Sequence, residues 1–324
     1  MLSISDYRDL FLSHLQQEII VRDPKNLYQP MDYILNLGGK RLRPVLTLMT
    51  ADFFSGNHQD ALKAATAIEI FHNFSLVHDD IMDDAPLRRG KQTVHEKWDL
   101  NTGILSGDAM LIVAYQFFEN YPAETFQELA KLFSKTAIEV CEGQQYDIDF
   151  ETRDDVQIDE YLKMITYKTA VLVGAAMKMG AIVADASKQE ANAIYDFGLN
   201  LGIAFQLMDD YLDAFGDPNT FGKQVGGDII ENKKTFLYLK TLENLSEDQS
   251  MQLRHLFSIT PEDTSDKIKV VKDFMISSGA ADQTQKEIEF YTQKALEILD
   301  GLSVEHTNKN ILRDFAISLM NREI

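Results

Sequence analysis

Residues 60–84 read DALKAATAIEIFHNFSLVHDDIMDD. Ala64, Ile68, Phe71, Phe74, Ser75 and His78 recur at steps of three or four, which places them on one face of an α-helix. The run ends in Asp79-Asp80-Ile81-Met82-Asp83-Asp84. A second stretch repeats the design, running from Lys188 through Tyr195, Leu199, Ile203 and Leu207 to Asp209-Asp210-x-x-Asp213, with Gly216, Pro218 and Gly222 breaking it afterwards. Two long helices that each end in Asp-Asp-x-x-Asp set the expectation of an all-α fold.

Working outward, helical spacing predicts further helices at about 4–20, 27–37, 40–54, 101–119, 123–143, 158–179 and 233–243, and amphipathic helices without a motif over the last eighty residues or so. The composition agrees: among 324 residues there are only 17 Gly and 7 Pro, and 45% are hydrophobic. No repeat and no low-complexity linker divides the chain, so a single domain over 1–324 is the simpler expectation. Cys141 is the only cysteine, which excludes an intramolecular disulfide and a Cys-based zinc cage and fits a reducing cytoplasm. It reads as a small core residue. The first twenty residues mix charge with apolar positions and lack the core of a signal peptide. The longest apolar stretch, Ala170 to Met177, is too short to span a membrane.

With 51 acidic against 31 basic residues the formal charge is −20, which argues against general binding to nucleic acid or anionic lipid. An anionic substrate must be held by local cations. On a helix Asp79 and Asp83 point the same way, with Asp80 beside them. Carboxylates this close disfavour one another's charge unless a cation sits between them, and hard oxygen donors favour Mg²⁺. One such cluster alone reads equally well as a solvated turn. Asp209, Asp210 and Asp213 repeat the spacing, and two such sites facing each other would clamp one polyanion through metal ions.

Gly38-Gly39-Lys40-Arg41-Leu42-Arg43-Pro44 pairs glycines, which allow close backbone approach, with three cations. Arg88-Arg89-Gly90-Lys91 follows the first cluster and can supply forked contacts to phosphate. Lys168-Thr169 lies in a helical stretch, Gln206 lies one turn before the second cluster, and Lys223, Lys233 and Lys234 follow it. Each group alone could be a solvated surface. Their grouping around two carboxylate sites in so acidic a chain carries the reading.

From Gly38 to Lys234 these residues resemble the trans-type isoprenyl diphosphate synthases, the polyprenyl synthetase family. The matching segments are Gly38 to Pro44, Asp79 to Gly90, Lys168-Thr169, Phe205 to Asp213, Gly222-Lys223 and Lys233 to Thr235. The resemblance implies a single large helical bundle around a deep apolar cavity, usually a homodimer. It implies that Lys40, Arg43, His72 and Arg89 bind isopentenyl diphosphate. Asp79, Asp83 and Asp209 would ligate Mg²⁺, with Asp80, Asp210 and Asp213 supporting. Arg88, Lys168, Thr169, Gln206, Lys223 and Lys233 would surround the allylic diphosphate, which ionises and is attacked by the isopentenyl double bond.

Product length, on the same resemblance, depends on the helix leading into the first cluster. Phe74 and Phe71 lie about 7 to 8 Å and about 12 Å up its axis from Asp79, with Ser75 beside them; both aromatics also suit ordinary core packing. An aromatic five positions before the motif marks short-chain enzymes. The motif lacks the two-residue insertion usual in bacterial-type farnesyl synthases, so products of fifteen to twenty carbons are expected, with twenty favoured. Two rivals are a class I terpene cyclase, in which an Asn/Ser/Glu motif generally replaces the second cluster, and a non-catalytic subunit of a heteromeric synthase, which usually lacks part of one cluster. Both clusters are intact here. His78 could support Asp79 or be a satisfied buried histidine, and the sequence assigns His95 and Trp98 no role.

Overall fold

A computed structural model describes residues 1–217 and 225–320. Among them the chain is mostly helical: α1 (Ile4–Glu18), α2 (Lys25–Asn36), α3 (Leu42–Phe53), α4 (Leu62–Met82), α5 (Val94–Lys97), α6 (Leu100–Phe118), α7 (Ala123–Thr152), α8 (Ile158–Ile165), α9 (Val171–Val183) and α10 (Lys188–Phe215). After them come α11 (Gly227–Ile230), α12 (Phe236–Asn244), α13 (Glu247–Leu256), α14 (Ser265–Ser277), α15 (Ala280–Gly301) and α16 (His306–Met320). Local chemistry starts several of these helices. Ser3 and Asp6 form a reciprocal cap on α1, and the Asp99 carboxylate accepts the Thr102 N–H at the head of α6. No described helix is long and apolar enough to cross a membrane.

The chain divides into two compact units, residues 1–135 with 175–194, and residues 136–174 with 195–324. In the first, α4 packs along α6 and α3, burying Phe11, Leu46, Phe53, Ile68, Phe71, Phe118 and Phe133. Gly180 of α9 lies against the Thr47 carbonyl of α3, where a Cβ would overlap, and the Thr47 hydroxyl donates to the Ala176 carbonyl at 2.9 Å. In the second, α12 packs on α15 and α8 around Phe197, Leu207, Phe236, Val271 and Leu299.

Two helices differ from the periodicity reading by more than three residues, and a hairpin lies outside it. α7 continues to Thr152, because residues 144–152 contain neither Gly nor Pro and bury Gln144 and Phe150. The stretch expected as one helix over 158–179 carries a single π-turn at Thr166–Ala170, closed by the Val171 N–H on the Thr166 carbonyl, and runs on to Val183. Residues 87–92 form a two-stranded antiparallel hairpin, β1 (Leu87–Arg88) and β2 (Lys91–Gln92), with Arg88 opposite Lys91. Arg89 and Gly90 both take positive φ, as a tight hairpin turn requires. Cys141 corrects the core reading, because it is exposed. Its neighbours Val140, Gly143 and Gln144 face inward on α7, so at 100° per residue Cys141 and Glu142 face outward.

Candidate active site

In the first unit the C-terminal turn of α4 presents the first aspartate cluster. The Asp83 N–H donates to the Asp79 carbonyl at 2.9 Å, which keeps both on the same helical face. Asp83 is exposed and Asp79 partly so, whereas Asp80 is 1% exposed. The hairpin returns Arg88 onto Asp80: Nε donates to both carboxylate oxygens at 2.8 and 2.9 Å, and a terminal nitrogen lies 2.7 Å from Oδ1. Arg88 thus neutralises the one buried carboxylate of the cluster. Asp79 and Asp83 supply hard oxygen donors one turn apart, a donor set suited to Mg²⁺.

Arg89, next on the hairpin turn, donates to the Gly38 carbonyl. Gly39, at φ 116°, leaves the space that this guanidinium fills, since a Cβ there would lie 2.8 Å from Arg89 Cζ. The glycine pair therefore seats an arginine as well as bending the chain. Arg43 contacts His72 Nε2 at 3.2 Å. A guanidinium has no acceptor, so Nε2 accepts and the imidazole is neutral. Burial, then the charges of Arg43, Arg89, Arg88 and Arg41, hold the His72 pKa well below its ordinary 6.5. Lys40 is exposed at the end of the same loop. Arg41 turns inward, pairing with Glu69 and the Leu35 carbonyl, so of the three cations in that segment it holds the loop to α4.

On α4, Phe71 is 1% exposed, and its ring lies 5.5 Å from Phe74 and 5.1 Å from Phe133. Tyr115 and Phe118 close on Phe133 at 4.6 and 5.3 Å. The Ser75 hydroxyl donates to the His72 carbonyl within the helix. His78 has a hydrogen-bond partner but is partly exposed rather than buried, its ring 4.8 Å from Phe74 and its Nε2 3.2 Å from the Ile104 carbonyl.

In the second unit α10 ends in Asp209, Asp210 and Asp213. Asp210 is buried; it accepts the Tyr161 hydroxyl and, at 3.0 Å, the Gln206 amide. Gln206 in turn accepts the Thr169 hydroxyl at 3.2 Å. Burial and the nearby Asp228 push the Asp210 pKa well above the carboxylate range, against the pull of its two donors. Asp213 accepts the Asp228 N–H at 2.9 Å. Lys168 pairs with Asp147, and Lys233 pairs with Glu231 at 2.8 Å and lies 3.9 Å from Asp228. Lys168 and Thr169 sit on the π-turn, which two glycines admit: a Cβ on Gly143 would overlap Lys168, and one on Gly202 would lie 2.7 Å from Ala170 Cα. π-turns often mark functional positions in helices. Lys223 lies outside the described residues.

Two residues read differently in the structure. Lys234 is spent on the end of α7, at 3.0 Å from the Phe150 carbonyl and 3.3 Å from Asp154, so it does not belong to the cation group around the second cluster. Tyr161 fixes Asp210 and had no signal in the sequence, since one tyrosine in an amphipathic helix reads as core.

Aspartate-ended helices with arginines and lysines beside them, in an all-α chain, are a donor set suited to a diphosphate. The polyprenyl synthetase family profile matches residues 24–274, and the chain belongs to that family. A geranylfarnesyl diphosphate synthase of Natronomonas pharaonis is 35% identical over 99% of this chain and 97% of its own. A solved geranylgeranyl pyrophosphate synthase is 56% identical, superposes with a TM-score of 0.96 and is covered, as is this chain, over 100% of its length. That of Pyrococcus horikoshii Ot3 is 34% identical, with a TM-score of 0.91 and coverage of 99% of this chain and 97% of that one. The chain is a prenyltransferase of the prenyl diphosphate synthase type.

Proposed function

We propose that residues 1–324 act as one short-chain synthase that condenses isopentenyl diphosphate with dimethylallyl, geranyl or farnesyl diphosphate, giving products of fifteen to twenty carbons with twenty favoured. The observation that carries the reading is the grouping of Arg43, against His72 Nε2, with Arg88 and Arg89 on the hairpin, where Arg88 rests on Asp80 of the first aspartate cluster, in a chain of net charge −20. Such a concentration of cations suits a diphosphate.

In this reading Lys40, Arg43 and Arg89 hold the isopentenyl diphosphate, and neutral His72 adds a hydrogen bond without competing for its charge. Asp79, Asp83 and Asp209 would hold Mg²⁺, which would supply positive charge to offset that of the departing diphosphate. Arg88, Lys168, Thr169, Gln206, Lys223 and Lys233 orient the allylic diphosphate. Asp80 and Asp210 position these groups through Arg88 and through Gln206 and Thr169, and Asp213 anchors the backbone at Asp228. The allylic C–O bond breaks to give a carbocation and diphosphate; the isopentenyl double bond forms the new C–C bond, and a proton leaves to restore the alkene. Cations placed where charge develops do the catalysis, and no aspartate acts as a base. Phe71 and Phe74 limit elongation. The relatives' names support the reaction class; two name a geranylgeranyl product, of twenty carbons, and one a geranylfarnesyl product, of twenty-five.

Incubating the purified chain with Mg²⁺, isopentenyl diphosphate and each allylic primer, then sizing the products, tests this. Cyclic hydrocarbons would favour a terpene cyclase, and turnover only with a partner chain would favour the subunit reading. A homodimer is expected and is checked by sedimentation.

A further inference from the structure

Asp84, His95 and Glu96 stand at the two ends of the segment that carries the arginine hairpin. Each offers one ligand atom, and the three atoms lie within 4.8 Å of one another. Among the described residues they are the one group of three His, Cys, Asp or Glu side chains placed so closely. None of them has a role in the reaction above.

His95 supplies an independent indication. Its side chain is only 9% exposed, and neither ring nitrogen has a hydrogen-bond partner although both are shielded from solvent. A buried imidazole ordinarily satisfies one nitrogen as donor and the other as acceptor. Its Nε2 is 3.9 Å from Glu96 Oε1, too far for a hydrogen bond. That gap is close to the separation of two ligands that share one small cation, since such ligands sit about 2.0–2.2 Å from the metal.

We propose that Asp84, His95 and Glu96 form a binding site for a borderline divalent cation of the Zn²⁺ type, separate from the all-carboxylate clusters. One imidazole with two carboxylates selects against Mg²⁺, which prefers oxygen donors alone, and water completes the shell. The bound ion ties Asp84, before β1, to α5, after β2. It thereby closes the base of the hairpin that aims Arg88 at Asp80 and Arg89 at Gly38. The occupant is a structural clamp and takes no part in bond making.

The test is Zn²⁺ binding to the full chain by chelator competition, in millimolar Mg²⁺ to occupy the all-oxygen sites, with Co²⁺ absorption as the spectroscopic signature of a nitrogen ligand. The wild type and a D79N/D83N variant should each bind one Zn²⁺ equivalent with equal affinity. Glu96→Gln, at an exposed position and with its fold checked by circular dichroism, and His95→Gln should each weaken binding roughly tenfold or more. Hydrogen exchange over residues 84–97 should slow on adding Zn²⁺ to the wild type and not to E96Q. No binding by the wild type, equal binding by E96Q, or loss of binding in D79N/D83N would overturn the site, the last showing an ion held by the first cluster.

Discussion

Asp80 shows why residue type and residue role separate. It is 1% exposed and rests on Arg88, whose side chain is 26% exposed. Arg88→Ala leaves a buried carboxylate without its charge partner and should cost about 2–3 kcal/mol, less than a fully buried pair because the guanidinium is partly solvated. Urea unfolding measures this, and adding Asp80→Asn should recover part of the loss. His72 gives a signed pH dependence. Its folded pKa lies below the ordinary 6.5, so below about pH 6.5 the unfolded state takes up the proton first. Stability should therefore be complete above about pH 6.5 and fall on acidification by up to ~1.4 kcal/mol per pH unit, until the folded pKa is reached. His72→Gln should lose that share of the slope in unfolding curves taken at stepped pH. The aspartates and most of the cations were legible in the sequence because their chemistry depends on spacing along one chain. The inward turn of Arg41, the capture of Lys234 by α7 and the Tyr161–Asp210 bond were not, since each depends on what packing brings alongside.

At the scale of elements, the long helices were legible because periodicity, caps and glycine breaks all agree in α4 and α10. The π-turn was hidden, because one extra residue in a helix barely shifts the apolar pattern. The hairpin was hidden too, because two-residue strands carry no period. Gly143 tests the π-turn: Gly143→Ala pushes a methyl into the Lys168 backbone and should cost about 1–3 kcal/mol. It should also raise KM for the allylic substrate more than for isopentenyl diphosphate, as steady-state titration of each would show. The aromatic group on α4 makes a second prediction. Phe71→Ala removes a fully buried ring at about 3–5 kcal/mol and should shift the product distribution to longer chains, read by chromatography of the dephosphorylated alcohols.

For the whole molecule, charge sets the terms. A chain of net charge −20 that binds diphosphates must concentrate its cations, and it does so at the Gly38–Arg43 loop, the hairpin and the π-turn. The all-α architecture was legible from composition and from two aspartate-ended helices; its division into two compact units was not, because no linker or compositional change marks it. The most direct test is product analysis with the purified chain, isopentenyl diphosphate and dimethylallyl, geranyl or farnesyl diphosphate, with Mg²⁺ and after chelation. Linear prenyl diphosphates of fifteen to twenty carbons, formed only with the metal and lost on Asp79→Asn or Asp209→Asn, are the predicted result. Failure of the chain alone to turn over, or products beyond twenty-five carbons, would contradict it.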